Sequence, residues 1–317
     1  MSLATHQTEA SVATLVASPA LAGSGLLAAH GPNSLVPRLK MLAASLASGP
    51  VFTTELAEDR AVDLVFPSPA PVDLIEAQLR ALIDEARAPV DIIVQPAAHR
   101  RKQLFLADMD STMIGQECID ELADFVGLKP QVSEITERAM RGELAFEPAL
   151  RERVALLKGL DLSVVDAIVA DRLILTPGGR ELVMTMRANG AHTCLVSGGF
   201  TVFTGPISEK IGFHEHHSNT LAYADGKLTG VVIDPILGRE AKKATLLRLR
   251  EELKLPPEAV MAVGDGANDL DMLQEAGLGV AYYAKPAVAA AASARINHTD
   301  LATLLFAQGY REEEFVR

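Results

Sequence analysis

Apolar and polar positions follow several different periods along this chain, and each change of period marks a change of element. An apolar run at Val12–Ala17 predicts a strand. Pro32–Leu46 then carries Leu35, Leu39, Leu42 and Leu46 at helical spacing around Arg38 and Lys40. Val51–Leu56 and Ala61–Phe66 predict two strands on either side of the charged turn Glu58–Arg60. In Asp73–Ala86, Leu74, Ala77, Leu79, Leu82 and Ile83 stand against Glu76, Arg80, Asp84 and Glu85, which predicts an amphipathic helix. Val90–Val94 closes as a strand. The order is βαββαβ, a ferredoxin-like (ACT-like) arrangement assigned to residues 1–100, with Pro96–Arg101 as connector. Nothing in it carries obvious chemistry, which favours a packing or dimerisation module over a ligand sensor.

From Gln103 the pattern becomes α/β, assigned to residues 101–317. Gln103–Ala107 predicts a strand ending at Asp108. About sixty residues of helical signal follow: Gly115–Phe125 before Gly127, Lys129–Arg141 before Gly142, Phe146–Lys158 before Gly159, and Ser163–Ala170. Glycine at such positions suits a left-handed helix stop. The spacing from Ser163 to Asp166 predicts a capping box. After Thr176-Pro177-Gly178-Gly179 the alternation resumes with helix Arg180–Ala188, strand His192–Val196, helix Glu240–Leu253, strand Val260–Val263, helix Leu270–Glu275 and strand Leu278–Ala281. Within Leu221–Val231, Asp225-Gly226 predicts a hairpin turn. Alternating β and α elements imply a parallel sheet with right-handed crossovers. The helical block, about residues 115–175, is then an insertion over the carboxyl ends of the strands, where open α/β sheets bind ligands.

Composition narrows the picture. A chain of 317 residues suggests two domains, and 49% apolar against 22% charged residues argues against disorder. With 29 basic and 41 acidic residues the net charge is −12, which disfavours nucleic acid or an anionic membrane as partner. A small site can still be locally positive, so an anionic small molecule is not excluded. The two cysteines, Cys118 and Cys194, have no CxxC spacing and fit a reducing, cytoplasmic compartment. The longest uncharged stretch, Ser11–Ala29, is broken by Pro19, Gly23, Ser24 and Gly25, and Glu9 precedes it in place of a basic residue, so neither a signal peptide nor a membrane span is expected.

Four groups of residues carry chemistry. Asp108 and Asp110 lie two apart at the end of the strand Leu104–Ala107, and Val263-Gly264-Asp265-Gly266-Ala267-Asn268-Asp269 ends a second apolar strand in an acid-rich loop. Either could be ordinary turn chemistry. Two such ends in one parallel sheet would instead converge, giving the hard oxygen ligands that Mg²⁺ prefers together with a substrate phosphate. Leu195-Val196-Ser197-Gly198-Gly199-Phe200 offers a hydroxyl and backbone N–H groups for phosphate at a helix start. Lys242 lies near a helix start, with Lys243 as its competitor. His214, His216 and His217 are set aside as a solvated loop beside Glu215, and Tyr282 and Tyr283 as packing near the sheet edge.

Together, Asp108-Met109-Asp110-Ser111-Thr112, Ser197-Gly198-Gly199-Phe200, Lys242 and Gly264–Asp269 resemble, in order, the four motifs of the haloacid dehalogenase superfamily. The resemblance extends to its phosphoserine phosphatase family through Glu117-Cys118-Ile119-Asp120-Glu121, Ala139-Met140-Arg141-Gly142 and Phe146 with Leu150-Arg151-Glu152-Arg153-Val154. It covers about Gln103 to Leu304. Met109 replaces a frequent Phe and Gln116 precedes Glu117, neither at a reactive position.

The resemblance implies a Rossmann-like core with a helical cap after its first strand, and Mg²⁺-dependent hydrolysis of O-phospho-L-serine, the last step of serine biosynthesis. It makes Asp108 the nucleophile and Asp110 the acid and base. It places the metal on Asp108, the Asp110 backbone carbonyl and Asp265. Phosphate falls to Ser197, Gly198 and Lys242, with Asn268 placing phosphate or Ser197, while Asp269 supports Lys242 or the metal's waters. Glu117 would read the substrate ammonium and Arg153 its carboxylate. Met140 and Phe146 would exclude water. Competing readings are a phosphatase or phosphotransferase for another small phosphorylated metabolite, and an amino-acid-sensing regulator. The substrate is the principal partner, and a homodimer through the first module is compatible with the reading.

Overall fold

The computed structural model describes residues 10–21, 23–47, 49–67, 71–140 and 143–317, and their strands form two separate sheets. The first holds β1 (Ala10–Ala17), β2 (Phe52–Ala57), β3 (Ala61–Pro67) and β4 (Val90–Pro96) in the order β2-β3-β1-β4, with every pairing antiparallel. Helices α1 (Val36–Leu46) and α2 (Val72–Glu85) cover one face. There Leu39, Ala43, Ile75 and Leu79 pack on Ala13, Leu15, Leu64 and Ile92. The opposite face is covered too, by the carboxyl-terminal part of the chain, where Phe306 packs with Val16, Leu56 and Ala61. Burial on both faces explains why β1 is apolar at every position but Ser11 and Thr14.

The second sheet takes β5 (Leu104–Ala107), β6 (His192–Phe200), β7 (Glu215–Ala224), β8 (Lys227–Ile233), β9 (Val260–Gly264), β10 (Leu278–Tyr282) and β11 (Ala294–Ile296). Its order is β11-β10-β9-β5-β6-β7-β8, parallel except for β7 against β8. One face is packed by α7 (Gly179–Ala188) and α8 (Thr201–Ile211), the other by α9 (Arg239–Glu252) and α10 (Leu270–Glu275). Short helices α11 (Pro286–Ala291) and α12 (Thr303–Ala307) complete the chain. This is the α/β architecture with a parallel sheet and an additional four-stranded module that the pattern implies.

The insertion leaves from the end of β5. It consists of helices here numbered by position, α3 (Cys118–Phe125), α4 (Lys129–Met140), α5 (Phe146–Leu156) and α6 (Ser163–Asp171). Its two connecting strands of chain meet at an Ile114–Leu175 bridge, so both ends of the insertion are anchored above the sheet. Two expectations need correction. The capping box at Ser163 does not form: Asp161 Oδ1 instead accepts the Ser163 N–H at 2.9 Å and its hydroxyl at 2.6 Å. The segment with His216 and His217 is not a solvated loop but the start of β7, which pairs with β6. The hairpin after it is as expected, with Asp225 and Gly226 both at positive φ between Ala224 and Lys227.

Polar side chains fasten the two sheets' modules together. Asp91, 2% exposed, accepts the N–H groups of Asn297, His298 and Thr299 and the Thr299 hydroxyl. The Arg100 guanidinium, in the expected connector, donates to Asp63, Thr14 and the carbonyls of Phe306 and Ala307. Arg60 pairs with Asp300 and Glu312.

Candidate active site

β5 lies beside β9 in parallel register, Ala107 opposite Val263, and Asp108 N–H donates to the Val263 carbonyl at 3.0 Å. The two acid-bearing strand ends are therefore neighbours at one edge of the sheet. Beyond Asp108 the chain folds into a tight turn over Met109–Met113, with Ser111 at φ 56°. That turn holds Thr112 against the second strand end, where its hydroxyl donates to Asp265 Oδ1 at 2.9 Å. Asp110 Oδ1 accepts the Cys118 N–H at 3.1 Å, so the start of α3 fixes its carboxyl.

Lys242, in the first turns of α9, reaches the same place. Its Nζ stands 2.7 Å from Asp108 Oδ1 and 2.6 Å from Asp269 Oδ1. Asp108, Lys242 and Asp269 are 5%, 2% and 0% exposed. The competitor Lys243 points elsewhere and pairs with Glu275 at 3.0 Å. Asp269 also accepts the Gly266 N–H at 3.0 Å. It lies so close to Gly264 that a Cβ there would come within 2.4 Å of its carboxyl carbon.

Carboxylate oxygens of Asp108, Asp265 and Asp269 all lie within 4.8 Å of one another. One lysine faces three acids, and the imbalance shows in their protonation. Burial first, then the Asp269 charge, raises Asp108 well above the usual carboxylate range despite Lys242. Burial raises Asp265 to about 6, with Asp269 and Glu117 adding to the shift. Burial and Glu117 raise Asp110 to about 7. Burial alone would lower Lys242, but Asp108 and Asp269 more than offset it and hold the ammonium charged. Buried, mutually repelling oxygen donors with too little positive charge fit a hard divalent cation. The Asp110 side chain is not in this cluster.

Ser197 is buried at the end of β6, and its Oγ accepts the Gly199 N–H at 2.9 Å. Asp110 Oδ2 faces the same turn, 3.0 Å from where a Cβ on Gly199 would stand. Asn268 is exposed at the rim. On the insertion side, Glu117 Oε1 accepts the Ser111 hydroxyl at 2.7 Å. Arg153, half-buried on α5, donates to Ala149 O and Thr136 Oγ1, and no ion pair of it is found among the described residues. Burial lowers its pKa, opposed by the charges of Asp120 and Glu117. Its neighbours Arg151 and Glu152 are paired with Asp234 and Arg138. Phe146 lies over the core loops: Cβ atoms built on Gly198 and Gly238 would sit 3.5 and 3.4 Å from its ring. The Met140 side chain, Arg141 and Gly142 lie outside the described residues.

The histidines diverge. His214 stacks on His192, His216 bonds Thr204, and His217 bonds Glu215. Cys194, Glu215 and His217 do place ligand atoms within 4.8 Å, but the Arg248 guanidinium donates to Glu215 and contacts His217 Nε2, so that pocket already holds a cation. Ser111, Thr112 and Asn219 are side chains at the site to which sequence reasoning assigned no role; Ser111 and Thr112 stood inside the first motif, whereas Asn219 gave no signal.

The haloacid dehalogenase-like hydrolase pattern matches residues 105–274. A phosphoserine phosphatase of Streptomyces coelicolor is 47% identical over 237 residues, which are 74% of this chain and 58% of that relative. Among solved structures, a HAD family hydrolase from Salmonella enterica serovar Typhi matches with TM-score 0.80 and 30% identity, covering 96% of this chain and 99% of its own. A phosphoserine phosphatase solved as a phospho-aspartyl intermediate analogue matches with TM-score 0.60 and 39% identity over 65% of this chain and 98% of its own.

Proposed function

This chain belongs to the haloacid dehalogenase-like hydrolases, within them to the phosphoserine phosphatase family, and we propose that it hydrolyses O-phospho-L-serine to L-serine and phosphate through a phosphoaspartyl group on Asp108. The observation that carries this reading is the meeting of Asp108 and Asp265, on adjoining strand ends, with Lys242 of α9, beside an insertion that carries Glu117 and Arg153.

The Asp108 carboxylate attacks phosphorus while the bond from phosphorus to the serine oxygen breaks. Burial opposes ionisation of Asp108, and the Lys242 ammonium at 2.7 Å is the counter-charge the chain itself provides. With a pKa near 7, Asp110 is partly protonated at neutral pH and can give its proton to the departing serine oxygen. The resulting Asp110 carboxylate then takes a proton from the water that attacks phosphorus and frees Asp108. Ser197 Oγ, the Gly198 N–H and Lys242 hold the phosphate oxygens, with Asn268 at the rim. Asp269 fixes Lys242 from behind.

The Asp108 and Asp265 side chains and the Asp110 carbonyl would hold Mg²⁺, which when bound supplies the positive charge that lets a carboxylate approach a phosphate dianion. Glu117 matches the substrate ammonium. Arg153, held by neutral oxygens, matches its carboxylate. The reaction ends serine biosynthesis, and the buried free thiols of Cys118 and Cys194 support a cytoplasmic setting.

The test is phosphate release from phosphoserine, phosphothreonine and sugar phosphates, with and without Mg²⁺, for the wild type and Asp108→Asn. Mg²⁺-dependent release from phosphoserine, lost in Asp108→Asn, is expected. Near-normal turnover by that variant would end the nucleophile assignment, and preference for a sugar phosphate would end the substrate assignment.

A further inference from the structure

The turn that carries Ser197 and the helix that carries Lys242 come from distant parts of the chain, yet both must meet one phosphate. This turn is an irregular stretch within β6, where the register against β7 shifts between Val196 and Phe200. The shift takes the Ser197–Gly199 backbone out of the regular ladder. The side chain of Asn219, opposite Phe200 on β7 and 1% exposed, bonds this irregular stretch. Its Nδ2 donates to Gly198 O at 2.8 Å and to Leu237 O at 3.2 Å, while its Oδ1 accepts the Leu237 N–H at 2.7 Å. Leu237 precedes Gly238, the residue that opens α9 and hence fixes where Lys242 starts.

One amide therefore ties the phosphate turn to the root of the lysine helix. A carboxylate at this position would keep the acceptor and lose both donors. The Phe146 ring lies over Gly198, which this amide bonds, and over Gly238, which follows the bonded Leu237.

We propose that Asn219 is a positioning residue for phosphoryl transfer: it fixes the spacing between the Ser197–Gly199 turn and Lys242 and holds the backbone over which Phe146 of the insertion lies. The proposal rests on the reading of Ser197, Gly198 and Lys242 as the phosphate-holding groups. A buried bond network positions groups to a fraction of an ångström, and a shift of about 1 Å can cost on the order of a hundredfold in rate.

The experiment uses the full chain with Mg²⁺ and compares Asn219→Asp, Ser197→Ala and Thr204→Val. The last variant removes a buried hydroxyl that bonds Ser218 and His216 on the same strand but does not touch the turn. Each is measured for kcat and KM with phosphoserine and an aryl phosphate, for inhibition by inorganic phosphate, and for Tm. Asn219→Asp is expected to weaken phosphate inhibition about tenfold or more and to lower kcat/KM roughly 10–100-fold on both substrates alike. Thr204→Val should lower Tm without moving phosphate inhibition. If Asn219→Asp does not fold, Asn219→Ser is read in the same way. A folded Asn219 variant with phosphate inhibition and kcat/KM within threefold of wild type, beside an impaired Ser197→Ala, overturns this proposal alone. An unimpaired Ser197→Ala overturns the phosphate-turn reading and this proposal with it.

Discussion

Replacing Lys242 with methionine strips the counter-charge from two buried carboxylates at once. The ammonium lies 2.7 Å from Asp108 and 2.6 Å from Asp269. At an effective dielectric near 20, each contact has a gross attraction of about 6 kcal/mol. Much of this is offset because the variant no longer buries an ammonium, and breaking a buried pair typically costs ~3–5 kcal/mol net. The loss should depend on pH. Asp108 already has a raised pKa, first from burial and then from Asp269, and loss of Lys242 raises it further. A carboxyl whose folded pKa exceeds its unfolded value near ~4 binds more protons when folded. Its stabilising contribution is then complete below about pH 4 and declines as pH rises through the folded value. The gap between variant and wild type should therefore be small at pH 5 and approach the full value at pH 8. Thermal unfolding in EDTA reads this directly: at about 2 °C per kcal/mol for a chain of this size, Tm should fall by roughly 6–10 °C at pH 8. Excess Mg²⁺ at pH 8 should recover part of the loss. A gap that does not widen with pH would refute the assignment of Lys242 as the counter-charge to Asp108.

Arg153→Ala should lower kcat/KM for phosphoserine by about 10²–10³, the worth of two charge-assisted hydrogen bonds, while an aryl phosphate changes only a few-fold. Equal losses on both would remove Arg153 from carboxylate recognition. Asp110→Asn should cut kcat by ~10²–10⁴, and the pH–rate limb near 7 traced to its raised pKa should vanish from the residual activity. Asp91→Ala leaves three backbone N–H groups and a hydroxyl without their acceptor and should cost roughly 2–4 kcal/mol in thermal unfolding, with kcat at 25 °C nearly unchanged. Gly178→Ala should destabilise as well, because Gly178 sits at φ 77° and an added Cβ would come within 2.3 Å of Ala302 N. Unchanged Tm in that variant would show that the insertion's exit segment is not held in this conformation.

The site was legible because central parallel strands are buried on both faces, so their sequences are apolar until they emerge, and the first polar residue marks the edge of the sheet. Leu104–Ala107 and Val260–Gly264 are such strands, each followed by acids. Their adjacency was not legible, since no local pattern says that β5 pairs with β9. Nor was the choice between Lys242 and Lys243 legible from residue type, which is the same; it is settled by burial on one side of α9 and an exposed pair with Glu275 on the other. β7 was misread for a related reason. Its first half is polar, with Ser218 and His216 satisfied by Thr204 of α8 and Asn219 buried beside them, so the segment lacks the apolar alternation that announces a strand.

The same logic bears on the amino-terminal module. Its first strand was readable as a strand, but two-sided burial is a property of what lies against it, and the covering residue Phe306 comes 290 residues after Val16. Arg100 looked like a charged residue in a linker, yet it is the point where Asp63 and Thr14 of one sheet meet the Phe306 and Ala307 carbonyls beyond the other. Sequence distance hides such pairings, because each half alone is an ordinary surface charge. The consequence is specific. The face of the β2-β3-β1-β4 sheet turned away from α1 and α2 carries Val16, Leu56 and Ala61, and Phe306 already covers it. Of packing, dimerisation and ligand sensing, this face performs the first.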